Sequence, residues 1–570
     1  MRRPFAAAIT ALILAFGAFA AQAQVSDARL RDAAKDPANW LTYSGTYASQ
    51  RYTTLNQITP ANVQGLTLKW MYQAAQPGSW ETSPLVVDGI MYLTQRPNDV
   101  VALDARTGRV FWIYRHALSP TQVVCCGANN RGLAMLGDTL FTGTLDANLV
   151  AIDAKSGRPL WTVKVADNAA GYSITLAPLV VKDKVIVGVG GGEYGIRGFI
   201  AAYDAKTGKE AWRFNTIPGP GEAGFETWKP CPPDSKIYCD PEAWKHGGAP
   251  VWVTGSYDPA LNLTYWGVGN PGPDFNPDQR PGDNLYSNAV VALDADTGKL
   301  KWHFQFTPYD RNDYDAVQVP VLADIDWKGA PLKAMLWANR NGYFYVLDRA
   351  NGRFLLGEPF VKVNWSSGLD ERGRPILTPQ PAGQPTFPSD HGGTNWYSPS
   401  YSPRTGLLYI PAWENALTLQ AAGAPTEHHP GRGFEGGVPH NFEAVPGAPG
   451  LSGIGRRPPI NNWTEVAGNG AVLAIDPATG RLRWRFPMTD VTESGILATA
   501  ADLVFTGGRE GYFQALDART GKLLWKTNLG SQIMNGPISY SVGGRQYVAV
   551  ISGLSLCVFG LPDQVTGPQL

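Results

Sequence analysis

The sequence predicts an all-β protein, an eight-bladed β-propeller, and three observations carry that prediction. A pattern of eleven residues, A-x-D-x-x-[T/S]-G-x-x-x-W, recurs along the chain. Where no insertion intervenes, its copies end 41, 49 and 51 residues apart, the period of a unit built from several strands. The composition agrees: 64 Gly, 45 Pro and 19 Trp stand against only 17% charged residues, which is turn-rich and aromatic-rich rather than helical. At 570 residues, length alone would suggest several domains. The repeat instead implies one domain closed on itself over residues 24–570.

Taken in order, a degenerate first copy, GLTLKW, ends at Trp70. ALDARTGRVFW spans Ala102 to Trp112, AIDAKSGRPLW ends at Trp161, AYDAKTGKEAW at Trp212 and ALDADTGKLKW at Trp302. A weaker copy, VLDRANGRFLL, ends at Leu356, followed by AIDPATGRLRW to Trp484 and ALDARTGKLLW to Trp525. Each copy reads as a strand end, a turn and the start of the next strand. The Asp can cap the turn and the Gly can take positive φ. The closing Trp is a large apolar plate for packing between units. Alternating apolar stretches such as DKVIVGV and DLVFTGG supply the preceding strands. The gap from Leu356 to Trp484 has room for one blade and long loops, because YSPRTGLLYIPAW reads as a strand pair around a turn.

The N-terminus has the order of a secretory signal peptide: Arg2 and Arg3, an apolar run from Phe5 to Ala20, then Ala21-Gln22-Ala23. Cleavage is expected after Ala23, giving a 1–23 leader and a periplasmic protein. The apolar run is short for a membrane anchor, and no cysteine near the cleavage site suggests a lipoprotein. Basic and acidic residues number 48 each, so loss of Arg2 and Arg3 leaves a net charge of −2. Such a balance excludes nucleic acid and anionic membrane surfaces as natural partners. A homodimer is compatible with it.

Five cysteines remain. Cys125 and Cys126 are adjacent, so their Cα atoms stand about 3.8 Å apart, below the usual disulfide range. A ring between them is strained, and such rings persist at functional sites. Export favours that vicinal disulfide over two neighbouring thiols. Cys231 and Cys239 bracket a Pro-rich loop and could form a second bridge, leaving Cys557 in a buried last strand. No C-x-x-C-H is present, so no c-type haem is attached covalently.

The repeat, the CCGANNRG stretch and the signal peptide together resemble the pyrroloquinoline quinone (PQQ)-dependent alcohol dehydrogenases of the methanol/ethanol dehydrogenase group. The resemblance covers nearly the whole chain beyond the leader. It implies PQQ in the central funnel, between the Cys125–Cys126 disulfide above and Trp252, in GGAPVWVTG, below. PQQ is a flat tricarboxylate that needs aromatic faces and cationic or polar rim groups. Arg131 matches the rim arginine; Glu81, Thr175, Asn395 and Trp396 match further contacts. Gly191 and Gly192, in GGGE, would contribute through backbone, because some relatives carry Ser or Ala there.

The same resemblance implies a metal site of Glu193, Asn270 and Asp313, all hard oxygen donors. Asp315 lies two residues beyond Asp313, an offset at which an Asp marks the lanthanide-dependent relatives. An added carboxylate is held more strongly by a trivalent than by a divalent ion, so lanthanide(III) is expected in preference to Ca²⁺. If 313–315 is extended, both carboxylates share a face. The implied reaction is alcohol to aldehyde, with Asp313 taking the hydroxyl proton, hydride passing to the quinone and Arg340 stabilising charge on it. A soluble cytochrome c would accept the electrons.

Pro250 offers neither O–H nor N–H where some relatives use a Thr, and Glu493 stands in a segment where methanol enzymes place a Trp. The Gly- and Pro-rich stretch 421–462, with His428, His429 and His440, is expected to form a cap over the funnel, and the Cys231–Cys239 loop a second one. Long loops of this kind carry specificity. Two other readings are a calcium enzyme for a bulkier alcohol or polyol, and a non-catalytic scaffold propeller. The latter should lack the Cys pair, Glu193, Asn270 and Asp313.

Overall fold

The computed structural model describes residues 25–230, 239–419, 423–437, 469–488 and 490–562. Eight units of four antiparallel strands surround an axis, one of them extended by a short fifth strand, Tyr52–Thr53, paired parallel to Leu497–Thr499. In chain order they occupy 85–114, 134–164, 179–215, 256–305, 321–359, 400–487, 497–528 and 538–560. The eighth borrows its outer strand, Thr67–Gln73, from the start of the chain, paired antiparallel to Ser555–Gly560. The 400–487 blade fills the long gap, its first two strands formed by the YSPRTGLLYIPAW segment. The predicted eight-bladed propeller is therefore the observed fold.

The repeat explains how blades dock. In the first full copy Asp104 Oδ1 accepts the backbone N–H groups of Arg106 and Thr107 at 2.8 and 3.1 Å, while Gly108 turns at φ +75°. The strand after the turn carries a register shift ahead of its Trp. That Trp lies on the turn of the next blade. Trp112, Trp212 and Trp484 donate Nε1–H to the carbonyls of Ala154, Ala295 and Ala518 at 3.0 to 3.2 Å. A Cβ on Gly521 would stand 2.6 Å from the Trp484 ring, so the Gly is the seat of the plate. Leu356 holds the corresponding place against Gly480 at 2.9 Å.

The segment 40–53 closes one end of the axis. Tyr47 donates to Val180 O, Gln50 to Leu322 O and Arg51 to Pro537 O, and Ser400 donates to Arg51 O. These partners belong to four different blades. The opposite end is lined by residues that precede each innermost strand, and the candidate site lies there.

Candidate active site

Glu81, Arg131, Thr175, Trp252, Asp313–Asp315, Asn395–Trp396 and Glu493 each stand three to eight residues ahead of an innermost strand. Antiparallel folding brings the loop after each second strand to the same end, which delivers Glu193, Asn270, Arg340 and Arg509. Backbone bonds stitch these segments into a ring: Ser83 N–H to Arg131 O at 3.0 Å, and Arg131 N–H to Thr175 O at 2.9 Å.

Arg131 is the centre of the aromatic part. Its guanidinium lies 4.7 Å from the ring centroids of both Trp252 and Trp396. It pairs with Glu81 at 2.7 Å and donates to Thr175 Oγ1 at 3.1 Å. Burial pushes the Glu81 carboxyl up, and Arg131 opposes that. Asn395 Oδ1 accepts Trp396 N–H at 2.8 Å, and its amide donates to His391 O at 3.0 Å. Cys125 and Cys126 are disulfide-bonded, with Cys126 at φ +62° and its sulfur 3.7 Å from Glu193 Oε1. The glycine run 190–192 lies close to its surroundings: a Cβ on Gly191 would stand 2.1 Å from Gly171 O, and one on Gly192 3.0 Å from Pro250. At Gly191, which also turns at φ +115°, that close approach leaves no room for a side chain.

The acidic part is held by Arg340. Its Nη2 meets Asp313 at 2.9 Å and its Nη1 meets Asp315 at 2.7 Å, while Nε donates to Asp390 O at 2.7 Å. Asp315 Oδ1 also accepts the N–H of Asn270 at 2.8 Å. The 313–315 segment is not the extended strand that a two-residue spacing suggested. Asp313 takes φ +58°, because Asp310 accepts the N–H groups of Asn312 and Tyr314 at 2.9 Å and coils the loop. The two carboxylates meet through the Arg340 fork, not through strand alternation.

Burial raises Glu193 to about 7, helped by the charges of Asp315 and Glu435. Burial also holds Asp313 well above the ordinary carboxyl range, against the pull of Arg340 and with the push of Asp315, Asp274 and Glu193. Asp315 is raised by burial and lowered by Arg340. Among the described residues, Glu193, Asp313 and Asp315 do not all bring oxygens within 4.8 Å of one another. Asp313 and Asp315 are held by the Arg340 fork, whereas Glu193 turns its Oε1 to the Cys126 sulfur. The donor set fits a hard cation: three carboxylates in mutual repulsion and the Asn270 amide, itself 2% exposed. The aromatic part fits a flat polyanion. Arg131 Nε and Arg509 Nε and Nη1 are buried donors with no hydrogen-bond partner among the described residues.

Some outcomes depart from the sequence reading. Glu493, whose segment the sequence singled out, is 5% exposed and pairs with Arg509 at 2.7 Å. Arg509 and Asp310 were missed. The D-R-N-D turn could have revealed Asp310 as an Asx-turn residue, whereas nothing local marks Arg509, which is paired across 16 residues. Cys239 is disulfide-bonded; Cys231, the signal peptide and all of 438–468, His440 included, lie outside the described residues. Cys557 is buried with a free thiol. Residues 423–437 do reach over the site: Phe434 N–H donates to Glu193 O at 2.7 Å, and His428 stacks on His246 at 4.3 Å. His429 is exposed beside Glu427. Among the described residues no helix is long and apolar enough to cross a membrane.

Comparison with known proteins accords with this geometry. A family model described as glucose/ethanol/alcohol dehydrogenase, β-propeller domain, matches residues 40–364. One described as outer membrane protein assembly factor BamB matches residues 468–555. The chain is 38% identical to the quinohemoprotein alcohol dehydrogenase ADH IIB of Pseudomonas putida, over 97% of this chain and 79% of that one. It is 37% identical to the 1-butanol dehydrogenase (cytochrome c) of Thauera butanivorans, over 90% and 74%. It superposes on a europium-containing methanol dehydrogenase with a TM-score of 0.83 at 33% identity, covering 94% of this chain and 100% of the other.

Proposed function

This chain belongs to the PQQ-dependent alcohol dehydrogenases, and from that premise we propose that it oxidises alcohols to aldehydes in the periplasm, with PQQ and one metal ion, lanthanide(III) in preference to Ca²⁺, and delivers the electrons to a soluble cytochrome c. Bound PQQ supplies a quinone that accepts hydride, and the metal a Lewis acid beside it. The remaining tasks fall on side chains. Trp252 and the Cys125–Cys126 disulfide flank a flat guest. Arg131, with Glu81, Thr175, Asn395 and Trp396, fixes its rim, and Arg509 offers further donors to a carboxylate. Glu193, Asn270, Asp313 and Asp315 supply the metal's oxygen ligands.

Asp313 accepts the proton of the substrate hydroxyl. A carboxyl held above its ordinary range by burial retains a proton better, which suits a base. Arg340 keeps Asp313 oriented through the 2.9 Å contact and places positive charge beside the reacting oxygens. The observation that carries the reading is this fork: one arginine spanning Asp313 and Asp315, with Asp315 tied to the N–H of Asn270. The second carboxylate is also what favours a trivalent ion. The cytochrome c acceptor draws support from the Thauera relative's name, and the periplasm from the leader's sequence pattern.

The test is dye reduction by metal-free protein given PQQ, ethanol and either La³⁺ or Ca²⁺. Turnover with La³⁺ alone is expected, and Asp313→Ala should abolish it while PQQ still binds. Turnover with Ca²⁺ alone would overturn the metal assignment. N-terminal sequencing of the periplasmic protein should begin at Gln24.

A further inference from the structure

Glu193 and Asn270 stand on loops of adjacent blades, and a third blade reaches across to hold both. Glu193 sits in the short turn Gly192–Tyr194, flanked by Gly191 at φ +115° and Gly195 at φ +63°. Asn270 sits in the connection between Leu263–Gly267 and Ala289–Asp294. One tie between the two loops is a neighbouring stretch of backbone: Gly248 N–H donates to Ile196 O at 2.8 Å and Ala249 N–H to Asn270 O at 2.7 Å. A second tie comes from the cap segment 423–437, part of the 400–487 blade.

Phe434 makes that second tie. Its N–H donates to Glu193 O at 2.7 Å. The residue is 1% exposed, and its ring stands between two glycines: a Cβ on Gly195 would lie 2.9 Å from Phe434 Cδ1, and one on Gly272 3.5 Å from the same atom. Gly195 comes two residues after Glu193, and Gly272 two after Asn270. The ring is thus a wedge keyed into both ligand loops. His246 and His428 stack at 4.3 Å, and Phe434 meets them edge-on at 5.4 and 5.3 Å. His428 also donates Nε2–H to Tyr194 O at 3.2 Å. On the Asn270 side the cap is fastened by Phe275 N–H to Glu435 O at 2.9 Å, Asn276 Nδ2 to Ala424 O at 3.1 Å and Gln279 Nε2 to Thr426 O at 2.9 Å.

A glycine-rich loop has the most backbone freedom to lose when a ligand fixes it. Contacts that fix the loop beforehand reduce that loss, which is how groups behind a metal ligand raise its affinity. A phenyl ring offers an ion no ligand atom, so any effect of Phe434 runs through the two loops. We propose that Phe434 is a positioning residue for the metal centre: its wedge sets the spacing of Glu193 and Asn270, and seating of the 423–437 cap and retention of the ion strengthen one another. This rests on the metal-dependent dehydrogenase reading. The linkage is reciprocal, so bound metal tightens the cap as the cap tightens the metal.

The experiment loads the PQQ-bound protein with La³⁺ or, in parallel, Ca²⁺, adds excess EDTA, and follows the metal still bound by elemental mass spectrometry. Phe434→Ala should release the ion at least about tenfold faster than wild type, and Phe434→Leu should fall between them. His429→Ala, at an exposed position of the same segment, should release it at the wild-type rate. Thermal melts separate positioning from mere support: the rise in Tm on metal binding should shrink in Phe434→Ala, whereas a purely structural loss lowers the metal-free and loaded melts equally. Hydrogen exchange of 423–437 should slow when wild type binds metal, and this protection should be lost in the variant. If Phe434→Ala does not fold, the Leu variant and the wild-type exchange decide. Wild-type release rates in the Phe434 variants, equal acceleration in His429→Ala, or cap exchange indifferent to metal in wild type would overturn the proposal and leave the dehydrogenase reading intact. Loaded wild type that retains neither ion would overturn the metal reading together with it.

Discussion

Asp315 and Glu193 show how a single side chain sets the chemistry. Asp315 is 5% exposed and is held by the Arg340 guanidinium, the Asn270 N–H and the Trp252 side chain. Asp315→Ala should remove one carboxylate charge from the metal site without disturbing Asp313. La³⁺-activated turnover should fall at least about ten- to a hundredfold, measured as dye reduction against metal concentration, and unaltered La³⁺ activation would show that Asp315 is structural only. Glu193 titrates at about 7 because it is buried among other carboxylates. A raised carboxyl pKa means that the folded, metal-free chain holds a proton that the unfolded chain has released between roughly pH 4.3 and 7. The metal-free fold should therefore lose stability as pH rises across that window. Metal uptake has the opposite sign, since the ligand must first lose its proton. Titration calorimetry should find affinity increasing from pH 5 to 7.5 with proton release, and a flat profile would refute the assignment of Glu193 as a ligand.

The blade-to-blade joint is the element that the repeat encodes. Gly521 sits at φ +72° with a Cβ position 2.6 Å from the Trp484 ring, whereas Gly406, at φ +70°, has nothing within 4 Å. Gly406→Ala therefore meets only the backbone cost of a left-handed alanine, about 1–2 kcal/mol. Gly521→Ala meets the same cost and must also displace the Trp plate, a further ~1–3 kcal/mol. Paired thermal melts should show the larger loss at Gly521, and equal losses would deny the seat its packing role. The repeat's turn, its Gly and its Trp were all legible in the sequence, because each acts within one copy or between adjacent copies. The coil of 310–315 was not, since local period-two logic predicts a shared face and the Asp310 side chain overrides it.

Ring closure belongs to the whole molecule. Ser555–Gly560 lies between the N-terminal strand Thr67–Gln73 and Arg545–Ser552, and it buries Leu556, Val558 and Phe559 completely or nearly so. Each such side chain contributes about 1.5–3 kcal/mol, so their sum rivals the ~5–15 kcal/mol that holds a typical fold together. A chain ending at residue 553 should fail to give soluble, cooperatively melting protein; a normal melt from it would show that closure is dispensable. By itself the sequence determined the blade count, the turn chemistry, the adjacent cysteines and, through motif resemblance, most of the residues around the site. Those features depend on neighbours along the chain or on repetition, and both are written linearly. Only the tertiary structure decided that Arg340 joins Asp313 to Asp315, that Arg509 pairs with Glu493, and that the cap residue Phe434 binds the backbone of Glu193. These depend on loops from different blades meeting at one end of the axis, where charge pairing and burial choose partners that no local pattern specifies.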